Sequence, residues 1–217
     1  MDAFWTKAEM AFRSRVRDHF NREGKALCRS ASKPSMPIRP DLGISQDADG
    51  SPAFAGSGGV SEGVLIIEEA SFYRPRLGLD LMERRISTEA GSSPEGKLFR
   101  LARIVGTAAH VFEAGARAAR DGGYFESSLM GCRKLQEGLA GLASGIEILR
   151  LGACRVCHLL ARGERDPGEE EMALLYEKAL ALDREVRSVA LGLLGEVWTK
   201  DNLPGDESSS EYERSRT

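Results

Sequence analysis

LQEGLAGLASGIEILRLGACRVCHLL, residues 135–160, is the stretch on which the fold turns. Within it Leu135, Leu139, Leu142, Ile146, Leu149, Ala153, Val156 and Leu160 recur at alternating intervals of four and three. That heptad spacing marks a helix with one apolar seam laid against other helices. At 1.5 Å per residue it predicts a helix about 39 Å long. A second ladder answers it: Met172, Leu175, Ala179, Leu182, Val186, Val189 and Leu193. Between the two, Arg162-Gly163 stops one helix and Asp166-Pro167 starts the next, glycine past a helix end and proline in a first turn being the favoured arrangement. Joined by so short a turn, the ladders must fold back antiparallel.

The chain has 217 residues, enough for a core of one large or two small domains. A net charge of −3, from 30 basic and 33 acidic side chains, implies neither a nucleic-acid stripe nor a membrane-surface face. No apolar run approaches the roughly 18 residues of a membrane span. The opening residues, MDAFWTK, lack the charged-then-apolar order of a signal peptide. Four cysteines are too few for a disulfide scaffold, so the expected compartment is a reducing cytoplasm.

Before the seam, Thr6 with Glu9 forms a capping box for a first helix, and Trp5 is placed to staple onto Met10. Phe12, Val16 and Phe20 line one face of that helix. Arg13, Arg15 and Arg17 read as a solvated face, with Glu9 and Asp18 beside them. Residues 28–60 are rich in Ser, Pro, Gly and Asp, and read as a flexible loop. Gly56-Ser57-Gly58-Gly59 within it precedes a helix as a phosphate cradle would, but no strand leads into it, so a hinge is the plainer reading. Ser61 is expected to cap a second helix carrying Val64, Ile67 and Phe72, broken at Arg74-Pro75. A short apolar turn at 77–82 and a polar connector at 83–93 lead to Pro94, the first residue of the next helix. Leu98, Leu101, Val105 and Phe112 lie along it, and Gly122-Gly123 ends it. Residues 201–217 are polar and read as a disordered tail. No segment alternates as a strand does. The fold class is all-α: an antiparallel bundle of long helices, divided into an N-terminal helical part at 1–86 and a C-terminal bundle at 87–200.

Gly138, Gly141, Gly145 and Gly152 form a stripe beside the seam. Each costs a helix about 1 kcal/mol relative to alanine, which close approach of another helix, or a ligand or subunit contact, would offset. Cys154-Arg155-Val156-Cys157-His158 matches the c-type haem attachment pattern, and its three ligand-type residues share a helical face. The seam runs through Val156 without interruption, and neither a distal haem ligand nor a fourth metal ligand is nominated. Packing of small residues is the preferred reading, so no metal is expected. His19 and His110 stand alone on helices, as packing or surface residues.

Taken together, these helices resemble the acyl-CoA dehydrogenase family. Val64-Leu65-Ile66-Ile67-Glu68-Glu69-Ala70 is similar to the "VLEELA" run of that family's N-terminal helical domain. Arg103-Ile104-Val105-Gly106-Thr107-Ala108 with Phe112-Glu113 resembles the opening of its C-terminal bundle. Trp198-Thr199-Lys200-Asp201 resembles its "GYTKD" motif. The resemblance implies an all-helical protein related to flavoenzymes that oxidise acyl-CoA with FAD, and it nominates Thr199 and Lys200 as cofactor-binding residues. It also shows departures. The family's β-barrel domain, which holds one side of the flavin, has only residues 83–94 in its place, although Ser87-Thr88-Glu89-Ala90-Gly91-Ser92-Ser93 resembles that domain's "TEPxxGSD" segment. The "RxQFG" motif is replaced by Asp121-Gly122-Gly123-Tyr124-Phe125. The chain stops before the segment that usually carries the catalytic Glu, which leaves Glu95, about one residue off the alternative register, as the candidate base.

The resulting expectation is a helical protein without catalysis of its own and without a cofactor when alone. It would self-associate or serve as a partner of a full-length acyl-CoA dehydrogenase subunit. The alternative is an FAD-dependent acyl-CoA dehydrogenase completed by a partner chain. Acyl-CoA oxidation requires a positioned carboxylate and a flavin N5.

Overall fold

The computed structural model describes residues 5–27, 44–46, 52–54, 59–87, 93–121 and 133–203. They form six helices: α1 (Lys7–Leu27), α2 (Val60–Tyr73), α3 (Pro75–Ser87), α4 (Pro94–Asp121), α5 (Arg133–Ala161) and α6 (Arg165–Asn202). Two three-residue strands, β1 (Ile44–Gln46) and β2 (Pro52–Phe54), pair antiparallel with Ile44 opposite Phe54. This short ladder lies beside α3, within the 28–60 segment expected to be a flexible loop. It adds no layer, and the fold is an all-α bundle. No helix among the described residues is long and apolar enough to cross a membrane.

The seam residues Leu142, Ile146, Leu149, Ala153 and Val156 are buried, and so are Met172, Ala179, Leu182 and Val186 opposite them. Gly138 meets Val189, Gly141 meets Glu185, Gly145 meets Leu182 and Gly152 meets Leu175. Numbers rise along α5 as they fall along α6, so the pair is antiparallel and the glycine stripe is where the two helices close. The turn between them is a Schellman motif. Gly163 sits at φ 78°, its N–H donates to the Leu160 carbonyl at 3.0 Å, and Glu164 N–H donates to the Leu159 carbonyl at 3.0 Å.

The helix surrounded on all sides is α2. Its nine consecutive residues from 63 to 71 are all buried. A helix with no solvent face must be apolar around its circumference, or must pair whatever charge it carries. Here α4 comes close enough that Gly106 packs directly on the Glu68 carbonyl and the Ser71 side chain. On another side α1 contributes Phe12, Val16 and Phe20, with Phe20 stacked 5.6 Å from Tyr73.

Several local expectations change. The apolar turn at 77–82 is part of α3, because Pro75 pre-sets a first helical turn and Leu77 and Leu81 bury one face of it. Ser61 does not cap α2. Gly59 occupies the cap position without a side-chain bond, and the Ser61 hydroxyl reaches Glu9 instead. The Thr6–Glu9 box forms, with Thr6 N–H donating to Glu9 at 2.9 Å and Glu9 N–H donating to Thr6 at 3.2 Å. Trp5 turns its ring edge toward His158, centroids 6.4 Å apart. The second ladder is not one straight helix: Gly195, at φ 84° and ψ 169°, breaks α6. Past the break Trp198 stacks on His110, and Leu203 is buried. Of the expected tail, 201–203 complete this packed end, and residues 204–217 lie outside the described residues. So do Gly56-Ser57-Gly58, Thr88 to Ser92, and Gly122-Gly123-Tyr124-Phe125.

Candidate functional site

Two adjacent carboxylates in the middle of a fully buried helix set the chemistry of this molecule. Glu68 and Glu69 are 3% and 1% exposed. An ionised carboxylate at such a position is tolerated only when paired and hydrogen-bonded. Three arginines from two other helices supply the partners. Arg13 of α1 bridges both acids, Nη2 donating to Glu68 Oε1 at 2.6 Å and Nε to Glu69 Oε1 at 2.7 Å. Arg17, one turn on, holds Glu69 through both oxygens, Nη2 at 2.7 Å and Nε at 3.2 Å. Arg150 of α5 donates from Nε to Glu68 at 2.7 Å and from Nη1 to Glu147 at 3.3 Å.

Burial alone would raise the Glu68 carboxyl, but Arg150 and Arg13 outweigh it and hold the group below the usual carboxylate range. The Glu69 carboxylate in turn pushes the Arg17 guanidinium up. The solvated-face reading therefore holds at Arg15, which is exposed, fails at Arg13, which is buried, and is incomplete at Arg17, which is half exposed while it pairs with Glu69. The one sequence signal of this cluster was the pair of acids inside Val64-Leu65-Ile66-Ile67-Glu68-Glu69-Ala70. An apolar run of that kind cannot present both acids to water.

Beside the cluster, α1, α2, α4 and α5 enclose a cleft of about 730 Å³. Phe72, Phe112 and Ile146 form its apolar wall, and Arg17, Arg117 and Arg150 line its polar side. Tyr73 donates its hydroxyl to Asn21 at the same opening. Burial, then the nearby Glu69 charge, push the Tyr73 phenol up, so it stays a donor.

None of the residues nominated from sequence reaches this cleft. Glu95 lies in the first turn of α4, whose start is fixed by Ser93 accepting the Gly96 N–H at 3.1 Å. Thr199 and Lys200 lie past the Gly195 break. The Thr199 hydroxyl donates to the Gly195 carbonyl at 2.8 Å, and Lys200 Nζ pairs with Glu196 on the surface at 2.6 Å. Arg76 of α3 donates to the Lys200 carbonyl at 3.1 Å, which ties this end to the bundle. The structure thus does not bring Glu95 together with Thr199 and Lys200.

Cys154 and Cys157 are buried in the core and are in no disulfide. Burial, with the Glu9 charge adding to it, pushes the Cys154 thiol up to about 11. Burial drives Cys157 up further. Burial thus disfavours the thiolate, the form that attacks as a nucleophile. His158 places Nε2 3.5 Å from Glu9. Among the described residues no group of His, Cys, Asp or Glu is arranged to hold a metal ion.

His19 is buried beside Phe20. His110 has a defined place: Nδ1 is 2.7 Å from the Phe72 carbonyl, and the ring stacks on Trp198 at 5.7 Å. A carbonyl only accepts, so Nδ1 carries the proton. Burial then holds the imidazole below its ordinary range and favours the neutral form.

No family model, curated protein or solved structure matches this chain.

Proposed function

We propose that this chain is an acyl-CoA dehydrogenase-like helical protein that is not catalytic by itself. It acts as a self-associating subunit, or as the partner of a full-length, flavin-dependent acyl-CoA dehydrogenase subunit. One observation carries the reading. The inner seam between α5 and α6 is filled, yet the outward side of the same pair keeps large aliphatic residues: Ile148 is 53% exposed, Leu151 40% and Leu174 60%. Ile148, Leu151 and Arg155 share one stripe of α5, and Glu171 and Leu174 share one of α6. The Arg155–Glu171 ion pair, at 2.7 Å, bridges the two stripes. Large aliphatics exposed on one side of a helix pair favour association.

Glu95 stands in the first turn of α4, and Thr199 and Lys200 stand beyond the Gly195 break of α6, so the reading asks no shared site of them. Light scattering of the purified protein, and its co-purification with a full-length flavoenzyme subunit, test it. The expected result is a dimer or larger species, or a stable mixed complex, and either is weakened by Ile148→Glu with Leu174→Glu. A strict monomer that captures no flavoenzyme defeats the proposal. If a mixed complex instead gains flavin absorbance and acyl-CoA oxidation that the flavoenzyme subunit lacks alone, the chain completes an FAD-dependent acyl-CoA dehydrogenase.

A further inference from the structure

The cleft between α1, α2, α4 and α5 has no part in the assembly reading, and its chemistry is specific. Its volume, about 730 Å³, lies in the range of small-molecule sites. Its wall is apolar at Phe72, Phe112 and Ile146, so an occupant needs an apolar body.

Charge decides the rest. Glu68 and Glu69 are engaged by arginines, and Glu147 has Arg150. The arginines are not exhausted. Arg17 donates through Nε and Nη2, which leaves Nη1; Arg150 donates through Nε and Nη1, which leaves Nη2. Arg117, on α4 at the same cleft, makes no ion pair among the described residues. The anchoring carboxylates fix Arg17 and Arg150 before any ligand arrives, so little ordering is lost on binding. Glu113, one turn before Arg117, and Glu147 also face the cleft, and both disfavour a head with more than one negative charge.

We infer that this cleft binds an amphipathic organic monoanion, an apolar or aromatic body with one carboxylate or sulfonate head. The body lies against Phe72, Phe112 and Ile146. The head takes Arg117 and the remaining N–H groups of Arg17 and Arg150.

The test uses two probes with the same body, 8-anilinonaphthalene-1-sulfonate and the uncharged N-phenyl-1-naphthylamine, read by fluorescence on the full chain. One saturable site is expected, with the sulfonate at least about tenfold tighter, a difference of about 1.4 kcal/mol. Arg117→Gln, at an exposed position, is expected to cost the sulfonate about tenfold and leave the amine unchanged. 1-Naphthoate should displace the sulfonate, and 1-naphthylmethylamine, its cationic counterpart, should not. Ala143→Trp, which fills the cleft, should abolish binding of both probes with the helical circular dichroism retained. Equal affinity of the two probes, unsaturable binding, indifference to Arg117→Gln, or displacement by the cation as readily as by naphthoate would each overturn the inference. None of these readings depends on the oligomeric state.

Discussion

The α5–α6 pair and the α2 centre are both buried, but by opposite means. Along α5 the buried residues are aliphatic apart from Cys154 and Cys157, and the seam recurs with the helix period, so solvent is excluded from one stripe and no charge among these buried residues has to be paired. On α2 every residue from 63 to 71 is buried, and two of these nine are acids held by arginines of other helices. The first arrangement tolerates change of residue so long as volume and apolarity are kept. The second depends on particular partners: removing one side leaves a buried charge without the group that offsets its lost hydration. Periodic burial and paired burial therefore fail differently, and mutation should separate them.

The largest effect is expected on the seam. Leu149 is 1% exposed and borders no ion pair of its own, so Leu149→Asp removes about 1.5–3 kcal/mol of burial and strands a charge as well. The variant should show no cooperative thermal transition by circular dichroism. Ile146→Asp is the less severe break. Ile146 lines the cleft, and a carboxylate there has Arg150 one turn away. If Leu149→Asp melts like the parent protein, the seam is not what holds α5.

At the α2 centre the expected cost is smaller and depends on pH. Glu68→Gln leaves Arg13 and Arg150 facing a neutral amide, and should lower unfolding free energy by about 3–5 kcal/mol at neutral pH. The sign with pH follows from the depressed carboxyl. The unfolded group titrates near 4.5 and the folded one lower. Below the unfolded value the unfolded chain binds more protons, so this stabilisation is full above about 4.5 and declines as pH falls through the folded value. The gap between the urea midpoints of parent and variant should narrow as pH is lowered from 7 to 3. A gap that stays constant over that range would mean Glu68 is not charged in the folded protein.

The same contrast explains what was legible from sequence. The α5 and α6 ladders report on themselves, because each residue's environment is set by neighbours three and four places along. Helix ends at Arg74-Pro75, Pro94 and Arg162-Gly163 are equally local and stand where the chain places them. The ion cluster is not local: Arg13 meets partners 55 and 56 residues away and Arg150 one 82 away, so its arginines looked like ordinary surface charge. The cleft takes its walls from four helices and has no sequence signature at all. Gly195 was hidden for another reason. The heptad runs up to Leu193, and nothing in that pattern announces that the next glycine adopts a positive φ.

The finest discrimination lies between two glycines, one in each region. In a helix interior Gly→Ala should gain about 1 kcal/mol where there is space. At Gly141, on the seam side, a new Cβ would meet only the carboxylate end of Glu185, a flexible group that can swing aside. Gly141→Ala should therefore be neutral or stabilising by up to about 1 kcal/mol. At Gly106 the new Cβ would drive into the Glu68 carbonyl, part of a backbone hemmed in on every side. It can be accommodated only by moving α4 off α2, and with it the acids off their arginines. Gly106→Ala should cost about 1–3 kcal/mol, the usual penalty for overpacking. Denaturant titration of the two variants side by side reads the difference in sign directly. If both gain stability, α2 and α4 are not in contact at Gly106, and the rigid centre that distinguishes α2 from the seam does not exist.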